Sequence, residues 1–189
     1  MTVLFDGRTH TYTVDGVCVP SVTTIIGDVL FPNAYQNVPE SVLNAKADYG
    51  NKVHQWVEAY ALTGVKKRQS ALMKLTTTQV VKLFDRERII IHSAEQVVYN
   101  GRYAGTYDMY GTWHGVETLF DIKTTQVLNK RYLEWQLGMY KLALNKPVEK
   151  CAVLWCPKGD VVELIEVQPK KAEEIEWLVN RYESEFITE

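Results

Sequence analysis

Two aspartates and a lysine fall where short strands would bring them together: Asp108 in YAGTYD (residues 103–108), and Asp121 and Lys123 in DIKTT (residues 121–125). Side chains alternate across a strand, so Val116, Thr118, Phe120 and Ile122 share one face, and Glu117, Leu119, Asp121 and Lys123 share the other. A tight hairpin would set the Asp108 strand beside the Asp121 strand. Carboxylates that close repel, and one of them is pushed toward its neutral form unless a divalent cation sits between them. Oxygen ligands of this kind suit Mg²⁺ or Mn²⁺, which keep waters and accept phosphate oxygens. Lys123, on the Asp121 face, could then orient a water or stabilise the charge that builds on a phosphate under attack.

Other residues could serve the same chemistry. His54 stands in GNKVHQWVEAY (residues 50–60), with Gly50 one turn before it leaving space beside the imidazole. Glu58, one turn after, is placed to orient the ring or to reach a second metal through water. Glu95 would sit at the start of the strand region, near the site. Gln136 and Tyr140 are spaced i,i+4 and share a helix face that could reach a phosphate backbone or brace Lys123. Two basic clusters, Lys66–Lys67–Arg68 and Lys130–Arg131, are candidates for phosphate contact. His10, His92 and His114 read as turn or surface residues.

The elements that must position these groups follow from periodicity. TVLF, THTYTV and VCVP, separated by DGR and DG turns, predict an N-terminal β-hairpin. Ser21 is an N-cap for a short helix, VTTIIGDVL. A long helix opens at Pro39 or Ser41 and runs to about Leu62, where Gly64 stops it. A second helix spans residues 70–89 despite three threonines in a row. From about Ile90 the period changes to two, predicting three antiparallel strands joined by NG and TWHG turns. A helix carrying Gln136, two strands (KCAVLWC and VVELIEV) and a final helix with Ile175, Leu178, Val179, Tyr182 and Phe186 on one stripe complete a mixed α/β order.

The bulk numbers bound the class. At 189 residues, 46% apolar and 23% charged, the chain fits one soluble globular domain: a hairpin over 1–20, a core over about 40–168 and a terminal helix over 169–188. No apolar run approaches the roughly 20 residues of a membrane helix, and the opening residues resemble neither a secretory signal nor a transit peptide. A net charge of −2 does not announce a nucleic-acid binder, though a metal site uses carboxylates and so shifts that balance. Cys18, Cys151 and Cys156 form no CxxC and no zinc spacing, which suits free thiols in a reducing cytoplasm.

The motifs together resemble the PD-(D/E)xK nuclease superfamily, in its RecB-like and phage exonuclease branch. The helix around His54 looks like the one that supplies a metal-binding histidine there. AGTYD resembles the G-x-x-D motif (Gly105, Asp108), DIK the D-x-K strand, and QLGMY the Q-x-x-x-Y helix (Gln136, Tyr140), all in the family's order over roughly residues 50–140. The resemblance implies a restriction-endonuclease-like core, a central mixed β-sheet flanked by helices, following the N-terminal β-hairpin. It implies His54, Asp108, Asp121 and the Ile122 carbonyl as ligands of Mg²⁺ or Mn²⁺, with Asp108, Asp121, Lys123, Gln136 and Tyr140 as catalytic groups. The implied activity is phosphodiester hydrolysis in DNA, as a phage-type exonuclease of recombination, replication or repair, in the host cytoplasm if phage-encoded. A structure-selective endonuclease and a catalytically idle DNA-binding or assembly module are the alternatives. DNA is the implied partner, with a single-strand-annealing or other recombination or replication protein as companion and no membrane. No iron–sulfur cluster is expected, because the relatives that bind one use four cysteines and this chain has three. Nor is there a GxxxxGK[ST] motif of a helicase. Selection of a free strand end is expected from an arch formed by residues 31–40 and the long helix, with Lys66, Lys67 and Arg68 near the helix's other end.

Overall fold

Local signals in the sequence account for each element of the computed structural model, which describes residues 2–7, 9–34 and 39–187, the side chain of Glu40 excepted. Strands β1 (Val3–Asp6), β2 (Thr11–Val14) and β3 (Val17–Val19) form a small antiparallel sheet. The β2–β3 turn is Asp15–Gly16, both at positive φ (47° and 87°), the backbone a two-residue hairpin turn demands. Helix α1 (Val22–Leu30) starts where the Ser21 side chain accepts the Thr24 N–H, and it buries Val22, Ile25 and Ile26. Helix α2 (Glu40–Thr63) ends at Gly64, whose left-handed backbone returns its N–H to the Tyr60 carbonyl. The arch expected from residues 31–40 falls in part on 35–38, which lie outside the described residues.

The threonine run does form a helix, α3 (Lys74–Glu87), entered through a 3₁₀ turn at Ala71–Met73. The hydroxyls of the run all find partners. Thr77 and Thr78 donate to the carbonyls of Met73 (3.0 Å) and Lys74 (2.7 Å), and buried Thr76 lies 3.1 Å from the Tyr49 hydroxyl.

Five strands, β4 (Ile89–Tyr99), β5 (Ala104–Trp113), β6 (Val116–Lys123), β7 (Lys150–Trp155) and β8 (Glu163–Glu166), form the main sheet in chain order. All neighbours are antiparallel except β6 and β7, which run parallel. Helix α4 (Lys130–Ala143) is therefore the crossover between them. One core packs α1, α4 and the last helix, α5 (Ala172–Phe186), with Leu119, Cys151 and Val153; a second packs α2 and α3 with Met109, Phe120, Ile122 and Leu154. This is the mixed α/β fold with a helix-flanked central sheet that the sequence implies. The small sheet docks at the start of β5: Ala104 donates to the Pro20 carbonyl (3.0 Å), and the Tyr12 hydroxyl meets Thr106 Oγ1 at 2.9 Å. Among the described residues, no helix is long and apolar enough to cross a membrane. Cys151 and Cys156 are buried free thiols, both pushed up to about 12 by burial, and Cys18 is exposed.

Candidate active site

The site forms where the sheet opens. The β5–β6 ladder runs from Trp113↔Val116 to Met109↔Phe120 and stops, although both strands continue. Beyond that point Asp108 no longer faces Asp121 through backbone bonds. Its Oδ2 instead accepts the Ile122 N–H at 2.6 Å, satisfying a donor that the splayed ladder would strand.

Helix α2 approaches this opening with its apolar face inward. Tyr49, Val53, Trp56 and Val57 are buried and fix its rotation. Asn51, His54, Gln55 and Glu58, a stripe one step round the helix, consequently line a cavity of about 630 Å³. His54 Nδ1 is 3.6 Å from Asp108 Oδ2 and 3.7 Å from Glu58 Oε1. Gly50 does not leave open space beside the imidazole, as its position in the sequence suggests. An added Cβ there would lie 3.1 Å from Thr124 Oγ1, so the missing side chain admits the Thr124 side chain just past β6.

Glu95 enters from β4 in an unusual way. The pairs Ala94↔Met109 and Gln96↔Tyr107 flank it, which sets it directly across from Asp108. Its φ of 52° is left-handed, a conformation that disfavours a side-chain-bearing residue by about 1 kcal/mol or more. Like charges directly opposite across a sheet also destabilise it. Strain and repulsion together make Glu95 a poor choice for a strand unless something cationic is to be held there.

His54, Glu58, Glu95 and Asp108 each offer a ligand atom, and these atoms all lie within 4.8 Å of one another. Burial, reinforced by a hydrogen bond to Glu95 and by the charges of Glu95 and Asp108, pushes the Glu58 carboxyl up to about 9. Its Oε1 is buried with no hydrogen-bond partner. One imidazole and three carboxylates, one with an orphaned oxygen, form a donor set that suits a divalent cation taking oxygen and nitrogen ligands.

Asp121 and Lys123 sit beside this group and engage each other. Lys123 Nζ donates to Asp121 Oδ1 at 2.9 Å and lies 2.8 Å from Oδ2. Burial pushes Asp121 up to about 6, opposed by Lys123 and aided by Asp108. Burial would lower Lys123, but the charges of Asp121 and Asp108 outweigh it and hold the ammonium above its ordinary value. From α4, Gln136 and Tyr140 close the cavity floor, both only 6% exposed. Gln136 hydrogen-bonds the Tyr140 phenol, and its own Oε1 is left buried without a partner. Burial, then the Asp108 charge, hold that phenol well above its ordinary value. Gly105 is required here: an added Cβ would lie 2.5 Å from Tyr140 Cε1 and 3.1 Å from Val22 Cγ2.

The structure thus brings His54, Glu58, Glu95, Asp108, Asp121, Lys123, Gln136 and Tyr140 to one cavity, with the Ile122 N–H bound to Asp108. Lys66, Lys67 and Arg68 lie beyond the end of α2 and do not line it. Lys130 and Arg131 open α4, with the Arg131 guanidinium 5.8 Å from the Phe31 ring centroid, also away from this cavity. Sequence reasoning missed one wall. Phe5 and Tyr12 of the small sheet line the same cavity, together with His10, which is the exposed turn residue that the sequence suggests. Neither did it weigh Asn51 and Gln55, although their i, i+3, i+4, i+7 spacing with His54 and Glu58 is a readable polar stripe.

The fold is mixed α/β, with a polar cavity where β5 and β6 splay apart. No family model matches the sequence, and no curated protein matches it. Among solved structures, the fold is similar to the crystal structure of an alkaline exonuclease, LHK-Exo, from Laribacter hongkongensis. The TM-score is 0.51 at 12% identity, and the match covers 88% of this chain and 87% of that one.

Proposed function

We propose that the chain is a divalent-metal-dependent DNA nuclease of the PD-(D/E)xK type, one domain over residues 1–189, and that it degrades linear DNA from an end. The observation that carries this reading is the ion pair of buried Asp121 with half-buried Lys123, set beside the His54, Glu58, Glu95 and Asp108 group in one open cavity. A fold shared with an alkaline exonuclease supports it. The ion, Mg²⁺ or Mn²⁺, would be held by His54, Asp108 and Asp121 with the Ile122 carbonyl; Glu58 and Glu95 stand close enough to His54 and Asp108 to be ligands in their own right. When bound, it supplies Lewis acidity at the phosphate.

The chain's own groups would do the rest. Lys123, charged because two aspartates face it, stabilises negative charge on the phosphate under attack. Asp108, fixed by the Ile122 N–H, keeps its second oxygen available to the site. Gln136 presents an unpartnered amide oxygen, and Tyr140 stays protonated as a donor. Lys66, Lys67, Arg68, Lys130 and Arg131 would contact DNA farther from the reacting phosphate.

Digestion of end-labelled linear DNA beside a covalently closed circle, with Mg²⁺ and with EDTA, tests the reading. Metal-dependent loss of the linear substrate with the circle intact is expected. Rapid linearisation of the circle would replace the exonuclease with a structure-selective endonuclease. Inertness toward all DNA under every metal would leave only the idle binding module.

A further inference from the structure

The small N-terminal sheet contributes no member of the carboxylate cluster, yet it walls the cavity that contains it. Three rings do this. Phe5 on β1 stacks on Tyr12 of β2, with centroids 4.6 Å apart and planes 26° from parallel. His10 stands edge-on to Phe5 at 5.2 Å and to Tyr12 at 6.3 Å. Tyr12 is the anchor, 3% exposed and bonded through its hydroxyl to Thr106, two residues from Asp108. Phe5 is 38% exposed above it. His10 is held at φ 55°, a left-handed backbone that turns the chain so that its ring meets the other two.

A sheet whose only purpose was to cover the core would bury these rings. Here a buried tyrosine supports a half-open phenylalanine and an imidazole at the rim of a polar cavity. We propose that Phe5 and His10 form a stacking platform for an unpaired nucleobase, next to the nucleotide whose phosphate lies at Asp121 and Lys123. The proposal rests on the nuclease reading and adds a substrate class to it: a strand end that is single-stranded or frayed. Every base has a π-face, so aromatic stacking holds a strand without reading its sequence. A base inside a duplex has both faces already occupied by its neighbours, so it gains nothing from the platform unless it is first unstacked.

The test uses short oligodeoxynucleotides carrying 2-aminopurine at the terminal position, single-stranded or in a blunt duplex, titrated with the whole chain in EDTA so that nothing is cut. Stacking quenches this base, so quenching in the complex and a preference for the unpaired end are expected. Phe5→Leu with His10→Ala should weaken single-strand binding roughly 10- to 100-fold and abolish the quenching, with duplex binding little changed. Phe5→Trp, which keeps a ring, should retain both. Photocrosslinking of a terminal 5-iodouracil to the unaltered protein supplies a readout that needs no variant: adducts at Phe5 or His10 support the platform, and adducts confined elsewhere overturn it. An undiminished fluorescence in the wild-type complex, or unchanged quenching in the double variant, would also overturn it. If that happens while Mg²⁺-dependent digestion persists, the platform fails and the nuclease stands; absence of both binding and digestion removes the two together.

Discussion

Glu58 should act as a proton gate for metal binding. Burial and its acidic neighbours raise its carboxyl from 4.5 to about 9, so in the metal-free protein at pH 7 it carries a proton. A cation coordinated by that carboxyl must displace the proton. Between about pH 6.5 and 8.5 the apparent affinity for Mg²⁺ or Mn²⁺ should therefore rise close to tenfold per pH unit, the slope for one proton released. The folded metal-free chain also binds a proton that the unfolded chain lacks between pH 4.5 and about 9. The contribution of Glu58 to stability is fully present below that window and is lost by roughly 1.4 kcal/mol per pH unit across it. For a chain of this length that is about 4 °C of Tm per unit. Asp121, raised from 3.8 to about 6, adds its own slope in the same direction but only on the acid side, so measurements above pH 6.5 isolate Glu58. The assay is calorimetric titration of metal in buffers of different ionisation enthalpy, with thermal melts of the metal-free protein alongside. Glu58→Gln keeps the shape and removes the titration, so both slopes should flatten. Metal binding at pH 7 that releases no proton, in a protein whose Tm is level from pH 6.5 to 8.5, would refute the reasoning.

Lys123→Met should reduce DNA cleavage at least roughly 100-fold in a rate assay, and it should also strand the buried Asp121 carboxylate at a cost of about 3–5 kcal/mol, visible as a lower denaturation midpoint. Adding Asp121→Asn should recover much of that stability and none of the activity; recovered cleavage would remove Lys123 from the chemistry. Gly105→Ala should destabilise by about 1–3 kcal/mol, because the Tyr140 ring occupies the volume that the methyl needs, and a melt unchanged from wild type would contradict that packing. Ca²⁺ should support DNA binding without turnover, since its larger, looser shell misplaces the reacting groups, and Asp108→Ala should weaken divalent binding sharply in calorimetry.

The strands, the helices and the order of Asp108, Asp121, Lys123, Gln136 and Tyr140 were readable because each depends on local periodicity or on spacing within one element. The N-cap at Ser21, the stop at Gly64 and the turns at Asp15–Gly16 and Gly115 are local in the same sense. Glu95 was harder. Its place opposite Asp108 depends on a register shift between Ile91 and Ser93, and no alternation count can foresee a bulge. The partnership of Asp121 with Lys123, rather than with the His54 group, depends on where the β5–β6 ladder ends, which is a tertiary matter. The aromatic wall was missed for a further reason: Phe5, His10 and Tyr12 look like ordinary hairpin residues until the sheet docks on Thr106 and Ala104, about 90 residues away.

The parallel pairing of β6 with β7 has a consequence for when the cavity comes into being. Those strands meet only after α4 has crossed between them, so the parallel pairing at the sheet's centre waits for residues 150–155. Closing a long loop before the rewarding contacts form is a slow step. A chain still emerging from the ribosome, with Asp108, Asp121 and Lys123 already synthesised, would therefore hold those side chains before the sheet that carries them is closed. On the nuclease reading proposed above this ordering is protective: β7 must join the sheet before the fold that holds the site is complete.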